Sequence, residues 1–555
     1  MSNEALKAIH MQVMWNRLIA VVEEQAQALL RTAFGAITRE AGDLSAGIYD
    51  TAGRMLAQAV TGTPGHVNTM AMAVTHFFAK YPLETMRPGD VYVTNDPWLG
   101  TGHLFDYVVM TPVFRQGRAV ALFASTCHLI DVGGVGFAAD ANSVFEEGVL
   151  IPHLKLRDGG RLNEDLLSII TANSRGPVEV RGDLLSLVSC NDVGGERLLA
   201  MMNEFALESI DELAEHILDN SRRATLEAIA KVPRGVYASE ATFDGYDRPI
   251  TLKAKMTVRA DGIEVDYAGS APASRKGINS PKCYTDAYTV FGLKCIVAPA
   301  VPNNAASLAP FTVLAEEGSI VAPRRPSPVT ARHVIGQMLP DAVFGCLAQA
   351  LPHKVPAESA GSIWVMPMAS AHERADPASL ANATRFTVMN VGLGGIGARP
   401  GKDGLSTTAF PSGIGSIPVE ITEAISPLVF WRKEYLPDSG GAGEFRGGLG
   451  QVIEIGNIEE APFTVSAATF DRIRFPARGR DGGRDGRPGA AQLSSGLKLE
   501  TKATHTIPAG ERLIVELPGG GGLGHPAKRA PAALEADLDA GLVSEAGARR
   551  DYGRP

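Results

Sequence analysis

The first forty residues carry a long apolar pattern that limits how the chain can begin to fold. Its apolar residues recur at the spacing of one helix face: Met14, Leu18, Val22, Ala26, Leu29 and Ala33. This spacing predicts one long helix over residues 4–41. The next segment, SAGIYDTAGRMLAQ, has instead the pattern of a hairpin that turns at residues 51–53. Helices and antiparallel strands are therefore expected to share the chain.

The middle of the sequence continues to mix both kinds of element. A helical pattern returns in TMAMAVTHFFAKYP, residues 90–129 are rich in strand patterns, and residues 160–232 are mostly helical. Alternating apolar residues around Asp261-Gly262 predict a second hairpin, and LPDAVFGCLAQALP predicts a helix bounded by prolines. These patterns favour an α+β protein over a single doubly wound sheet.

The C-terminal part differs in composition from the rest. Glycine and proline become dense after about residue 405, which favours short strands and tight turns, as in LPDSGGAGEFRGGLG and GGGGLGHP. The sequence ends in a predicted closing helix, PAALEADLDAGLVSEAGARRDYG. Since 555 residues exceed one ordinary domain, we expect three regions. They are an N-terminal α/β region (1–235), a central α+β region (236–405) and a C-terminal β-rich region with the closing helix (406–555).

Composition excludes several classes of function. The formal net charge of −9, without a basic block, argues against nucleic acid or an anionic membrane as the main partner. The five cysteines are scattered and contain no CxxC pair, so neither a disulfide framework nor a thiolate zinc site is expected. No signal-peptide core and no run of about 18 uncharged apolar residues is seen, which predicts a cytoplasmic protein.

One loop holds an unusual set of polar residues. Residues 94–106 read TNDPWLGTGHLFD, between two predicted strands, and place His103 three residues before Asp106. The two strands that follow are joined by Arg115-Gln116-Gly117, a three-residue loop with Gly117 in the left-handed region. In that register residue 114 faces residue 118 and Asp106 faces Thr126. His128 then lies diagonally from Asp106 on the same sheet face, about 7–8 Å away at the backbone.

This geometry allows two interpretations. Two imidazoles and one carboxylate, without a thiolate, suit a divalent ion with open positions for water or substrate. The alternative is that His103 and His128 simply cap and pack a buried hairpin. Asp96 is expected to order the loop through its Asn-Asp-Pro turn. Asp131 is either a partner that orients His128 or a turn residue before a glycine pair.

Long motifs in the chain resemble a known family. GDVYVTNDPWLGTGHLFD and STCHLIDVGG resemble the B subunit of the ATP-dependent hydantoinases and oxoprolinases, which are related to the alpha subunit of acetone carboxylase. The resemblance continues through RGDLLSLVSCN, GINSPKCYTDAY, PNNAASLAP, IPVEITE and GLVSEAGARRDYG, so that it covers nearly the whole chain.

The resemblance implies specific site residues. The metal ligands of that family fall on His103, Asp106 and His128, and this donor set leaves zinc, manganese and iron all open. Glu147 also matches the family, and His66 stands where relatives tend to have histidine. We expect Asp131 and Glu147 to orient the ligands or handle protons near the ion, and His66 either to line the active site or simply to stand at the start of a helix. The acidic residue often found in relatives at the position of Ser143 is missing here.

The resemblance also implies a division of labour between subunits. This sequence has no recognisable ATP-binding motif, and no Gly-x-Ser-x-Gly elbow for a serine nucleophile. A separate A-type subunit would bind ATP and phosphorylate the oxygen of a cyclic amide, while this chain holds the metal that activates water. We therefore expect a hetero-oligomeric hydrolase of a hydantoin, 5-oxoproline or another lactam. The alternatives are a subunit of an ATP-dependent ketone carboxylase and a non-catalytic scaffold subunit.

Overall fold

The computed structural model describes residues 3–60, 62–361, 363–371 and 383–554. Its helices are α1 (Asn3–Thr32), α2 (Ala36–Arg39), α3 (Pro64–Lys80), α4 (Val144–Glu147), α5 (Glu164–Ala172), α6 (Pro177–Glu204), α7 (Asp211–Ile229), α8 (Lys282–Val297), α9 (Ala305–Leu308), α10 (His333–Gly336), α11 (Leu339–Ala350), α12 (Val419–Ile425), α13 (Pro531–Asp539) and α14 (Glu545–Tyr552).

The strands are β1 (Leu44–Tyr49), β2 (Met55–Gln58), β3 (Val91–Thr94), β4 (Asp106–Arg115), β5 (Arg118–His128), β6 (Leu154–Asp158), β7 (Arg161–Leu162), β8 (Gly235–Phe243), β9 (Ile250–Val258), β10 (Ile263–Asp266), β11 (Phe311–Leu314), β12 (Ile363–Ser370), β13 (Thr387–Leu393), β14 (Leu428–Tyr435), β15 (Gln451–Asn457), β16 (Phe463–Ser466), β17 (Ala490–Leu493), β18 (Thr504–Ile507) and β19 (Leu513–Glu516). The predicted α+β class and both predicted hairpins, β1–β2 and β9–β10, are confirmed.

A sheet near the N-terminus carries the predicted loop. In the described residues its strand order is β2-β1-β5-β4-β3-β6-β7. Successive residues of β4 point to opposite faces. Val109 packs in the core that includes residues of α1 and α6, whereas Val108 and Met110 pack in the core that includes residues of α3. Asp106 precedes Val108 by two residues and points to the same face, so it lies on the α3 side of this sheet.

The long N-terminal helix is shorter than predicted. The pattern predicted one helix over residues 4–41, but α1 ends at Thr32 and a separate short helix, α2, follows. The buried carboxylate of Asp183 explains the break. It accepts hydrogen bonds from the backbone N–H of Phe34 at 2.7 Å and of Gly35 at 3.1 Å. These hydrogen bonds keep Phe34 and Gly35 out of the helix. Asp183 lies 149 residues after Phe34 in the sequence, so the local apolar pattern cannot predict this interaction.

Three further sheets, each of four strands in the described residues, form the rest of the fold. Their strand orders are β11-β10-β9-β8, β13-β12-β16-β18 and β14-β15-β19-β17. The β12–β13 hairpin has two buried faces. Trp364 and Met366 belong to the core of the C-terminal sheets, while Ile363 and Val365 belong to the N-terminal core. This hairpin therefore joins the two parts of the molecule and brings its second face toward the predicted loop.

The glycine-rich C-terminal segments pass each other at close range. A Cβ atom at Gly519 would overlap the carbonyl oxygen of Ser439, and one at Gly448 would overlap that of Leu405. Only glycine allows these approaches, which confirms that the two glycine-rich motifs form close-packed turns. The predicted single closing helix is wrong, since Gly541 adopts a φ of 68° and separates α13 from α14.

The helices in the described part of the chain are not membrane spans. None of them combines the length and the apolarity needed to cross a bilayer.

Candidate metal centre

The loop between β3 and β4 is held by its own amide and carboxylate side chains. Asn95 donates to the carbonyl oxygens of Leu104 at 2.9 Å and Val149 at 3.0 Å, and accepts from the N–H of Ile151. Asp96 accepts from the N–H of Trp98 at 2.9 Å, as in an ordinary Asx turn. The expectation that Asp96 orders the loop is confirmed. The result is a rigid connection that delivers His103 to the start of β4.

The register of the β4–β5 hairpin differs from the predicted one. Asp106 pairs directly with His128, not with Thr126. The loop consists of two residues, Gln116 and Gly117, which both have positive φ, and the register shifts near Val113. The predicted left-handed Gly117 is confirmed, but the shorter loop and the added irregularity move the pairing by two residues. Directly opposed side chains are closer than diagonal ones. The observed register therefore places Asp106 and His128 closer together than the predicted register does.

His103, Asp106 and His128 converge at one point. The Nε2 atom of His103 lies 2.7 Å from Asp106 Oδ1, and the Nδ1 atom of His128 lies 3.1 Å from the same oxygen. Each residue offers one ligand atom, and these atoms lie within 4.8 Å of one another. All three side chains are buried.

The orientation of His103 is fixed by the main chain. Its Nδ1 lies 2.9 Å from the carbonyl oxygen of Thr330, which can only accept a hydrogen bond. Nδ1 therefore carries the proton, and Nε2 presents its lone pair toward Asp106. Burial, together with the charge of Arg332, lowers the pKa of His103 to about 3. The imidazole is thus neutral, as a metal ligand must be.

The second oxygen of Asp106 is held by two other side chains. His66 Nε2 lies 2.8 Å from Asp106 Oδ2, and the guanidinium of Arg332 donates to the same oxygen. Thr63 caps α3 by accepting from the N–H of His66, which fixes the start of the helix that carries this imidazole. Oδ1 is thereby left to His103 and His128, as expected when outer contacts orient a ligand.

Electrostatics keep the carboxylate ionised. Burial raises the pKa of Asp106, but His66 and Arg332 beside its Oδ2 hold that pKa well below its usual value. Burial also lowers the pKa of His66, yet the charges of Asp106 and Asp43 outweigh it and raise the pKa of this imidazole. A charged carboxylate next to a neutral imidazole is the protonation state that binds a cation.

Glu147 contacts the predicted ligand His103 indirectly, through the backbone of Thr330. Its Oε1 accepts from the backbone N–H groups of Val329 at 2.6 Å and Thr330 at 2.8 Å. The same Thr330 supplies the carbonyl that orients His103. Oε2 is buried without a hydrogen-bond partner, and burial raises the pKa of Glu147 to about 7. The residue therefore positions the segment that holds His103.

Asp131 does not have the position expected of a partner for His128. Its carboxylate accepts from the backbone N–H and from the guanidinium of Arg175. The contact of His128 described above is with Asp106 instead. The expectation that Asp131 orients His128 is corrected, because the carboxylate of Asp131 binds Arg175, which lies just before α6. The turn interpretation of Asp131 fits these contacts.

A cavity opens beside the three residues. His66, His103 and His128 form one part of its lining, with Arg332 and Phe137 next to them. Another part of the lining is apolar and comes from β12, β13 and the loop after residue 409: Ile363, Val365, Met389, Val391 and Ile414. Ser143, where relatives often have an acid, is not among the described residues that line this cavity.

The residues fit a divalent cation. His103 Nε2 is buried with no hydrogen-bond partner, which leaves a lone pair available in the cavity wall. Ligand bonds of about 2.0–2.2 Å would require only small movements of side chains that already lie this close. Two nitrogens and one oxygen are a donor set that zinc, manganese and iron accept.

Arg332 is the part of this site that the sequence did not reveal. It is buried, its Nε donates to Thr101 at 2.7 Å, and its guanidinium lies 4.1 Å from the ring centre of Tyr284. The residue stands 226 positions from Asp106 in a segment without a local motif. A buried arginine needs a carboxylate partner, but nothing in the sequence says which carboxylate this is.

The fold and the cavity define an α+β protein with a buried His-Asp-His centre beside a cavity whose lining is partly apolar. The chain belongs to the Hydantoinase B/oxoprolinase family, whose model matches residues 7–526. The putative D-/L-hydantoinase B subunit of Pseudomonas sp. (strain NS671) is 27% identical, and the match covers 98% of this chain and 94% of that relative. The caprolactamase beta subunit of Pseudomonas jessenii is 27% identical, with 98% and 95% covered.

Solved structures share the fold. The crystal structure of the ATP-dependent caprolactamase from Pseudomonas jessenii matches with a TM-score of 0.88 and 26% identity, covering 98% of this chain and 96% of that chain. A nucleotide-free acetone carboxylase matches with a TM-score of 0.82 and 19% identity, covering 98% and 79%. The second likeness concerns the fold alone. The predicted family is confirmed by the match along the chain.

Proposed function

We propose that this chain is the metal-binding subunit of an ATP-dependent cyclic-amide hydrolase. The convergence of His103 Nε2, Asp106 Oδ1 and His128 Nδ1 beside a cavity carries the proposal. Hydantoin and caprolactam, which appear in the names of two relatives, are both cyclic amides. A hydantoin, 5-oxoproline or another lactam is therefore the proposed kind of substrate.

The proposed reaction needs two activities. Resonance gives the amide C–N bond partial double-bond character and makes the carbonyl carbon a poor electrophile. Phosphorylation of the amide oxygen by a partner subunit would remove this resonance and make the ring carbon a better electrophile. Water would add to this carbon, and the ring C–N bond would break as the nitrogen takes a proton. Hydrolysis of the resulting acyl phosphate would give the ring-opened acid and inorganic phosphate. A divalent ion held by His103, Asp106 and His128 would supply Lewis acidity where water attacks the ring.

Each surrounding side chain has a role that its contacts support. Glu147 holds Thr330, and Thr330 holds His103 in the neutral form with Nε2 free. Arg332 and His66 hold Oδ2 of Asp106, so that the carboxylate presents one oxygen to the cavity. His66 keeps a proton on Nε2, toward Asp106, because its pKa is raised.

The family membership also supports a partner subunit. Both relatives carry names of components of larger enzymes, a B subunit and a beta subunit, and this sequence lacks a recognisable ATP-binding motif. An A-type subunit would bind ATP and form a hetero-oligomer with this chain. The residues of this chain would then act on the substrate after its phosphorylation.

The test uses the complex of this chain with the A-type subunit from the same organism. The complex is incubated with ATP, magnesium and a panel of cyclic amides, and ring-opened product and ADP are measured by mass spectrometry. A parallel reaction offers ketones with labelled bicarbonate. We expect ring-opened product that depends on ATP, and no labelled acid.

A matched pair of variants assigns the activity to the site. His128→Ala should abolish ring opening while the complex still assembles, whereas His10→Ala, which removes an exposed imidazole on α1, should leave it unchanged. Labelled acid from ketones without ring opening would replace the proposal with a carboxylase. Full activity of His128→Ala would remove this residue from the mechanism.

A further inference from the structure

A fourth histidine lines the cavity beside the three predicted ligands. It is His333, at the start of α10. Its ring stacks on that of Phe137, with 5.9 Å between the ring centres and 22° between the planes. The ring centre of Phe137 in turn lies 5.3 Å from that of His128 and 6.1 Å from that of His103. The stack therefore fixes the imidazole of His333 near these ligands, although it does not belong to the group of ligand atoms.

One ring nitrogen of His333 makes no contact that would stabilise the fold. The residue is more than nine-tenths buried, and its Nε2 has no hydrogen-bond partner among the described residues. A buried polar atom without a partner lowers stability. Since the fold gains no hydrogen bond from this atom, a molecule bound in the cavity is the partner that remains for it.

The surroundings of His333 keep its imidazole neutral. Burial, together with the charge of Arg332, lowers the pKa of His333 well below its usual value. A neutral imidazole has a lone pair on one ring nitrogen and can accept a proton there. The phosphate of an activated substrate would add negative charge to the cavity, which stabilises the imidazolium once it has formed. His333 is thus in the protonation state that a general base needs.

The other groups in the lining that could carry a proton are less suitable. His66 lies between two carboxylates, 2.8 Å from Asp106 and 3.5 Å from Asp43. Burial raises the pKa of the Tyr284 and Tyr288 phenols, so neither loses its proton near neutral pH. Among the described lining residues, His333 is therefore the histidine that is neither a predicted ligand nor paired with a carboxylate.

The proposed reaction needs a group that moves protons. In the phosphorylated ring the nitrogen carries no hydrogen and is joined to the reacting carbon by a double bond. When water adds to this carbon, one proton of the water must reach the nitrogen. When the C–N bond then breaks, the second proton must follow, so that the nitrogen leaves as an NH2 group. The carbon keeps the water oxygen as the carbonyl of the acyl phosphate.

We infer that His333 is a catalytic residue of this reaction, whose Nε2 accepts each proton from the attacking water and passes it to the ring nitrogen. This inference rests on the proposed function and adds a proton carrier to it. The imidazole returns to its neutral form after each transfer, so the reaction consumes no further acid or base. The transfer decides which bond of the addition intermediate breaks. Cleavage of C–N opens the ring, whereas cleavage of C–O releases phosphate and returns the lactam.

The test compares the natural complex with His333→Gln in water labelled with heavy oxygen. Glutamine is polar and of similar length, but it cannot carry a proton near neutral pH. Each complex, with its A-type subunit, receives ATP, magnesium and a cyclic amide that the natural complex opens. ADP, ring-opened acid and the remaining cyclic amide are measured by mass spectrometry. For the natural complex we expect about one ADP per ring opened and an unlabelled remaining substrate.

The variant should divert the intermediate to C–O cleavage. We expect ring opening to slow by at least about 100-fold and the ADP consumed per ring opened to rise at least about tenfold. The remaining substrate should become labelled, because phosphate leaves with the original carbonyl oxygen and the water oxygen stays on the ring carbon. A merely structural role of His333 would slow the reaction without labelling the substrate.

Controls separate this role from metal binding and from folding. His10→Gln, which replaces an exposed imidazole on α1, should change neither the ADP ratio nor the label, and His333→Gln should keep its metal. An unlabelled substrate with an unchanged ADP ratio, or loss of the metal from His333→Gln, would overturn this inference and leave the proposed function intact. His333→Asn replaces the glutamine variant if that complex does not assemble, and failure of both to assemble would also overturn the inference. A natural complex that opens no cyclic amide would overturn the proposed function and this inference with it.

Discussion

Asp106 is the residue on which the site depends. Its two oxygens have different surroundings: Oδ1 faces His103 and His128, and Oδ2 is held by His66 and Arg332. A buried carboxylate can remain charged here because cations and donors surround it. The same arrangement makes His66 and Arg332 important for the stability of the buried carboxylate.

Replacement of Arg332 tests this dependence. Arg332→Met leaves the carboxylate of Asp106 buried without its cation and should lower the free energy of unfolding by about 3–5 kcal/mol. Arg17→Met is the control, because Arg17 forms an exposed pair with Glu204 and its loss should cost less than about 1 kcal/mol. Urea denaturation of both variants gives the comparison. Equal effects would show that the buried pair contributes no more than a surface one.

The raised pKa of Glu147 predicts a pH dependence of stability. This carboxyl titrates near 4.5 when exposed and about 7 in the fold. The folded state therefore holds a proton that the unfolded state has lost, and stability falls as pH rises from about 4.5 to about 7. Glu147→Gln removes this loss, so the variant should gain about 3 kcal/mol relative to the natural chain between pH 4.5 and pH 8.

Thermal and chemical unfolding at these two pH values measure the gain. Glu208→Gln, which removes an exposed carboxylate that is not among the causes of the raised pKa of Glu147, controls for the change in net charge. A pH dependence that is the same for the natural chain and for Glu147→Gln would mean that this carboxyl is ionised throughout.

At the scale of elements, the register of the β4–β5 hairpin determines whether Asp106 and His128 lie close together. The sequence predicted its strands, its turn region and the left-handed Gly117, because these depend on alternation and on the backbone freedom of glycine. It did not predict the two-residue loop or the register shift near Val113. Such irregularities depend on how both faces of the sheet pack, and a single strand pattern does not record this.

Substitutions at Gly117 and Gln116 test the conformation of the β4–β5 loop. Gly117 has a φ of 79°, and a Cβ atom there would meet nothing within 4 Å. Gly117→Ala should therefore cost about 1 kcal/mol through backbone strain alone. Gln116→Gly relieves a positive φ of 50° and should not destabilise the hairpin. Equal loss of thermal stability in both variants would indicate that the loop has another conformation.

At the scale of the whole molecule, the site is assembled from distant segments. The predicted ligands come from residues 103–128, but their supports come from His66, Glu147 and the segment 329–332. An apolar part of the cavity lining comes from β12 and β13. Local patterns predicted the α+β class and singled out His103, Asp106 and His128, whose spacing is short, and the family resemblance identified these three as the expected ligands. Local patterns could not predict Arg332 or the apolar part of the lining, because these reach the site only through tertiary packing.

Metal content tests the central claim most directly. The chain is purified with its partner subunit, and bound zinc, manganese and iron are counted by inductively coupled plasma mass spectrometry. We predict about one ion per chain in the natural protein and less than about a tenth in folded His128→Ala and Asp106→Asn, with His10→Ala unchanged. Less than about a tenth of an ion in the natural complex, or a full complement in both site variants, would contradict the account.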